Sequence, residues 1–558
     1  DSEPYYNLGL ALFYQERFDE AFGAFYKATW TSAQQEMSFY YLAAISARRD
    51  EPLQALAFLE RALIKNSRNI KARALKGSLL AALGKPETEA WLRENISIDP
   101  FDYLSRWELE MLLGTDGSAT ISMMKNSTQT LLGAARDYAE AGNYHKALAM
   151  LAQGDRNQPL LRYYQAAYAA RAGQDLLAGK ALAAAAACNP KYTFPNHLED
   201  IAILTHAMEA APEDARAPYY LGNLLYDRKR YQEAKALWER SRVLDDTFPT
   251  VWRNLALVYY NKDRQLMKAQ EAMERAFALD PTDARVLLEL DQLYKANGMS
   301  PADRLAFLDT HEATYQKRDD LYVEYITLLN LMGQHQQALE RIMARKFHPW
   351  EGGEGKVTTQ YTLALLQLAR QAMADRDWTQ AETLLKHALV FPESLGEGKL
   401  EGAKDNHLYY TLGCVYEAAG RLDEAKACWQ LAALGDTEPK GMMYYNDQPA
   451  DLILYQGLAL EKLGDTAQAR ARYHKLIDYG ETHLFDDVHI EYFAVSLPNL
   501  QIFEEDLTVC NRAHCAYLIA LGSHGLGDTN RARSFYDQVL SIDRAHLGAT
   551  LHRRLLDN

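Results

Sequence analysis

Cysteine is scarce in this chain: Cys188, Cys414, Cys428, Cys510 and Cys515 are the five in 558 residues. An odd, sparse set excludes a dense disulfide framework and reads as reduced thiols in a cytoplasm. Cys510, His514 and Cys515 could begin a zinc site, but no second cluster with ligand spacing completes it. Proline is thin as well, at 17 residues, which leaves room for long helices. No apolar run reaches the roughly 18 residues that a membrane span needs, and no charged-then-apolar leader follows Asp1. Basic runs are missing, and a net charge of −15 repels polyphosphate, so nucleic acid is a poor partner. No serine nucleophile elbow, zinc-protease helix, dinucleotide fingerprint or Walker loop is present. His483 and His489 lie six apart, outside ligand spacing. The sequence therefore offers no catalytic residue, cofactor or metal ligand for this chain alone.

What is abundant is tyrosine, 35 against 17 phenylalanines, set among helix-favouring stretches such as 178–187. A repeat runs through them. Tyr409, Leu412, Gly413 and Tyr416 are followed by Ala425, Trp429 and Ala432, with twelve residues from Gly413 to Ala425. The same offset takes Tyr5, Leu8 and Gly9 to Ala21, Phe25 and Ala28. It takes Gly222 to Ala234 and Trp238, and Gly457 to Ala469 and Tyr473. Trp252, Ala256 and Tyr259 lead to Ala269 and Ala276 with one residue inserted. Weaker copies pair Ala43 with Ala55, Ala135 with Ala147, Ala167 with Gly179, Ile326 with Ala338, Ala369 with Ala381, and Ala520 with Ala532. Small residues at the glycine and first alanine positions let two helices of a hairpin approach closely. Each hairpin then leaves an apolar face that only the next one covers. Gly420 reads as a helix stop and Asp423 as an N-cap.

This pattern resembles the tetratricopeptide repeat (TPR). The resemblance implies an all-α, right-handed TPR solenoid of about twelve or thirteen hairpins. An N-terminal array is expected over 1–345, with irregular breaks near 101–130 and 188–218, and a second array over 346–558 with extended inter-repeat loops.

Those loops are unusual. The first holds His348, Trp350, Glu351, Glu354 and Lys356, and the second Glu397 and Lys399, each ending in Gly-Glu-Gly-Lys. The third holds Tyr444, Tyr445, Asn446, Asp447 and Gln448, and a Phe/Leu/Pro-rich stretch runs to about Asp506. Glu354 and Glu397 are 43 positions apart, one extended repeat, so both loops leave the solenoid on one edge. Glycine-flanked lysines suit an anion, while carboxylates and aromatics suit a sugar. The competing use is that Glu and Lys pair with each other and brace the loops. Acid/base work by the carboxylates is a third.

Over 346–558 these loops are similar to the C-terminal part of a family of uncharacterised bacterial TPR proteins. In that family the repeats follow a β-sandwich region similar to carbohydrate-active folds. The resemblance implies that the chain is the helical half of a longer protein, and a glycan-related role only by association.

Two functions follow as expectations. One is a scaffold for protein–protein interaction, for docking of the protein's own N-terminal domain, or for assembly, through a groove holding Tyr6, Tyr219, Asn223, Asn254 and Tyr410. The other is a carbohydrate-processing protein with its catalytic domain elsewhere, in which loops 348–356, 393–399 and 444–449 help to form a sugar or anion site. In-phase tyrosines such as Tyr5, Tyr409 and Tyr416 read as inter-helix packing. Asn223, Asn254 and Arg285 sit at positions similar to the TPR carboxylate clamp, but Tyr219 and Glu289 stand where cations belong, which argues against an anionic tail.

Overall fold

The computed structural model describes residues 2–350, 352–441, 448–488 and 502–557. Among them are 31 α-helices, one short 3-10 helix and no strand. The chain divides into two compact units, residues 1–247 and 248–558. The change in loop composition at 346 falls inside the second.

In the first unit seven antiparallel hairpins follow one another, from Glu3–Tyr14 with Phe18–Ala28 to Arg216–Asp227 with Tyr231–Leu244. The fourth is cut short at Ser118–Met123, and helix Leu198–Ala210 stands between two hairpins without a partner of its own. The second unit stacks seven more hairpins, from Pro249–Asn261 with Leu266–Leu279 to Leu507–Gly525 with Thr529–Ile542, and closes on helix Leu547–Arg554. The array is thus slightly longer than the repeat pattern suggested.

One contact explains the repeat spacing. A Cβ on Gly413 would lie 2.4 Å from the Trp429 indole nitrogen, so the aromatic ring occupies the space that the glycine leaves. The same relation joins Gly9 to Phe25, Gly222 to Trp238 and Gly457 to Tyr473. In each case the aromatic stands sixteen residues after the glycine, one hairpin turn away. Burying such a ring contributes about 1.5–3 kcal/mol per hairpin. The A–B turn needs one residue with positive φ, supplied by Gly420 at 79° and by Arg376 at 58°. Asp423 does not cap its helix. Arg421 is the N-cap, without a side-chain bond, and Asp423 lies in the first turn, where its charge complements the helix dipole.

Some hairpins depart from small-against-small packing. In Ile70–Ala82 with Thr88–Ile98, Gly77 faces Leu92 across a turn that carries Pro86. In Ala284–Ala296 with Pro301–Asp309, the small pair is replaced by Asp291 and Arg304, joined at 2.9 and 2.6 Å and almost fully buried.

Candidate functional site

The long loops of the second unit are held by their own polar groups. Phe347 donates its N–H to the Ser394 carbonyl at 2.8 Å, which lays the first loop against the second. Glu397 takes the backbone N–H of Gly355 on both oxygens, at 3.1 and 3.0 Å, and lies near the Thr358 hydroxyl. Burial raises the Glu397 carboxyl pKa, partly offset by the Gly355 N–H. Lys399 pairs with Asp405 at 2.6 Å and donates to the Leu389 carbonyl at 3.0 Å. The Trp350 ring folds over Gly353, leaving no room for a Cβ there. Gln448 closes the third loop, its amide exchanging two bonds with the Asp436 backbone at 3.0 and 2.8 Å. Among the described loop residues, His348, Glu354, Lys356 and Glu393 are at the surface. The His348 ring is 3.6 Å from Asp319. Glu351, Tyr444, Tyr445, Asn446 and Asp447 lie outside the described residues, as does His489.

The groove residues are engaged in packing. Tyr219 is 8% exposed and so presents almost no contact area. Its carbonyl and the Asn223 side-chain oxygen both accept from the Trp238 indole, at 3.3 and 3.1 Å. Tyr6 is half-buried against Phe25 and Tyr41, with ring centroids at 5.9 and 6.5 Å. Tyr410 lies against Tyr455 at 5.9 Å, and burial raises its phenol pKa. Asn254 is buried. Glu289, fully buried, takes Arg253 on both oxygens at 2.6 Å and Arg285 at 3.0 Å, so the two cations share one carboxylate. Of the in-phase tyrosines, Tyr416 is buried and Tyr409 half-buried. Tyr5 is exposed under Lys27, whose Nζ lies 5.3 Å from the ring centroid.

Part of the tyrosine excess serves buried carboxylates. In the first unit Tyr40 donates to Glu140 at 2.6 Å, Tyr138 to Glu108 at 2.8 Å, Tyr163 to Asp214 at 2.7 Å and Tyr164 to Asp200 at 2.6 Å. Lys71 joins Asp137 and Glu140 at 2.9 and 3.1 Å, and burial pushes the Asp137 carboxyl up to about 6. Every donor in this set meets an acceptor within the fold, which marks it as structural. Burial likewise pushes the Cys510 and Cys515 thiols up to about 11, so both stay protonated at neutral pH. Among the described residues no His/Cys/Asp/Glu group could hold a metal, and no helix is long and apolar enough to cross a membrane.

Two features had no sequence signal. The first is His552 on the last helix. The Gly548 carbonyl and the Tyr517 hydroxyl both lie 2.9 Å from its Nδ1, and Tyr455 lies 2.9 Å from Nε2. A proton on Nδ1 would reach the Gly548 carbonyl and leave Nε2 to accept from Tyr455, whose hydroxyl also takes Arg370 at 3.0 Å. The second joins helix Pro249–Asn261 to the segment 502–504. Asn261 donates to the Ile502 carbonyl at 2.9 Å and accepts the Glu504 N–H at 2.8 Å, bracketing Phe503.

Residues 407–433 match the family model described as tetratricopeptide repeat. Among solved structures the chain is similar to yeast Tom70, at 12% identity over 100% of this chain and 95% of that one, with a TM-score of 0.28. It is similar to YrrB, described as a TPR protein with an unusual peptide-binding site, at 15% identity over 47% of this chain and 97% of that one, with a TM-score of 0.24. A third likeness is to the P58(IPK) TPR domain, at 14% identity over 84% and 99% of the two chains, with a TM-score of 0.20. The matched residues are those of the hairpin built on Gly413, Ala425 and Trp429, so that hairpin is a tetratricopeptide repeat and the chain an all-α array of hairpins.

Proposed function

We propose that this chain is a protein-interaction scaffold whose repeats grip extended polypeptide. The observation that carries the reading is the Asn261 carboxamide, which bonds the backbone on both sides of Phe503. A side-chain amide that pairs with a carbonyl and an N–H of one short segment recognises main chain, whatever its sequence. Helical hairpins supply such positions at regular intervals, on a frame rigid enough to keep them in register. Glu397, Lys399 and Gln448, three of the loop groups suited to a sugar or anion, are engaged in bracing, and these three lend no support to a carbohydrate site.

The test is selection of random 12-residue peptides on phage against the full chain, with affinities of resynthesised hits read by fluorescence anisotropy. The expected result is enrichment of peptides that bind in the micromolar range, as suits a transient contact. A correctly folded chain that enriches no peptide at all would sink the scaffold reading.

A further inference from the structure

The segment just before helix Leu507–Gly525 is held as a docked peptide would be held. Asn261 reads its backbone on either side of Phe503. The Phe503 ring is 5% exposed and meets Tyr260 edge-on, with centroids 5.0 Å apart and planes at 65°. The next side chain, Glu504, lies at the surface and pairs with Lys262 and Arg264, the latter at 3.3 Å. Arg264 reaches it from the A–B turn, where its φ of 56° bends the chain. Backbone recognition, an aromatic socket and a pair of cations thus follow one another in the order of three successive residues.

The charges point to the occupant. The chain carries a net charge of −15, yet the end of helix Pro249–Asn261 sets two cations side by side. That end is complementary to an acidic segment, not to the bulk of its own surface. We propose that it is a recognition site for an extended partner segment carrying an aromatic residue followed by a carboxylate, and that Ile502-Phe503-Glu504 fills it as a built-in competitor. The proposal rests on the scaffold reading. Being tethered, the internal segment competes at a high effective concentration, so an outside peptide binds only when it displaces that copy.

The probe is a fluorescein-labelled synthetic peptide with the sequence of residues 501–506, Gln-Ile-Phe-Glu-Glu-Asp, titrated with the full chain and read by anisotropy. The variant Phe503→Ala/Glu504→Arg is expected to bind it about tenfold more tightly than the unaltered chain, because the tethered competitor is weakened. Adding Asn261→Ala is expected to remove the gain, as is replacing the peptide's Phe by Ala. If Phe503→Ala unfolds the second unit, Glu504→Arg alone serves, since that side chain is exposed, and a gain of severalfold is expected. An opened variant that binds the peptide no better than the unaltered chain overturns the proposal, as does a gain indifferent to Asn261→Ala. Phage-selected peptides that bind independently of Asn261 would leave the scaffold reading standing while this site fails.

Discussion

Glu397 holds the backbone N–H of Gly355 with both carboxylate oxygens, at 3.1 and 3.0 Å. The glutamate of the second Gly-Glu-Gly-Lys thereby grips the second glycine of the first copy. Gly355 is the N-cap of helix Lys356–Ala374, with a φ of 74°, so the carboxylate also sits at the positive end of that helix dipole. This contact locks the second loop to the first.

If the lock is what matters, Glu397→Ala should loosen the start of helix Lys356–Ala374 and leave the rest of the array in place. A charged acceptor of backbone N–H contributes about 1.5–3 kcal/mol, reduced here because the side chain is only half-buried. Hydrogen exchange over 353–358 should speed up severalfold in Glu397→Ala and less in Glu397→Gln. Unchanged exchange in both would mean that the loops do not depend on this contact.

The repeat was legible wherever a glycine or alanine faced an aromatic sixteen residues on, as Gly413 faces Trp429. It was illegible where another solution filled the same space. Asp291 and Arg304 occupy the small positions of their hairpin as an ion pair, which no small-residue pattern can find. The loops were visible as oddities of composition, but composition does not separate a carboxylate aimed at a ligand from one aimed at a neighbouring N–H. Asn261 and Ile502 lie 241 positions apart, and a link of that length leaves no local trace.

Gly413→Ala should clash with the Trp429 ring, because the added Cβ would lie within 2.4–3.0 Å of three indole atoms. Overpacking of this kind costs about 1–3 kcal/mol. The cost should shrink in a Trp429→Leu background, since contacting residues do not act additively. Urea midpoints followed by helical ellipticity report both effects. Equal midpoint shifts in the two backgrounds would show that the ring does not fill the glycine's space.

Asp291→Ala strands Arg304, which is 1% exposed, and should cost about 3–5 kcal/mol. Glu324, 2.6 Å from Arg304, remains as a partner and should keep the loss toward the low end. The double change Asp291→Ala/Arg304→Ala restores the small-against-small packing of the other hairpins and should recover part of the midpoint. A double variant less stable than Asp291→Ala would mean that the arginine's own packing, not its charge, holds that hairpin.

Acid should destabilise the second unit through histidines that are buried neutral. Burial pushes His552 down to about 3, helped by Arg370, His524 and His407 and opposed by the Gly548 carbonyl. It pushes His407 to about 3 and His335 to about 4. The unfolded chain takes up these protons near 6.5, whereas the folded chain refuses them until far lower pH. Stability from each is complete above 6.5 and falls as pH drops, by about 1.4 kcal/mol per pH unit per histidine. Asp451 works the other way. Its carboxyl is pushed up to about 6 by burial, so the folded state gains a proton that the unfolded chain still lacks, and this offsets one histidine below pH 6. Asp137 in the first unit, also pushed up to about 6, acts in the same sense, and three histidines against two aspartates still leave a net loss for the full chain. The melting temperature of the full chain should therefore fall steeply from pH 7 to pH 5. His552→Gln keeps a hydrogen-bonding side chain but cannot titrate, so its deficit against the unaltered chain should narrow over the same range. A deficit that stays constant from pH 7 to pH 5 would show that His552 titrates alike in the folded and unfolded chain, and that the Tyr455–His552–Tyr517 contact does not hold the ring neutral.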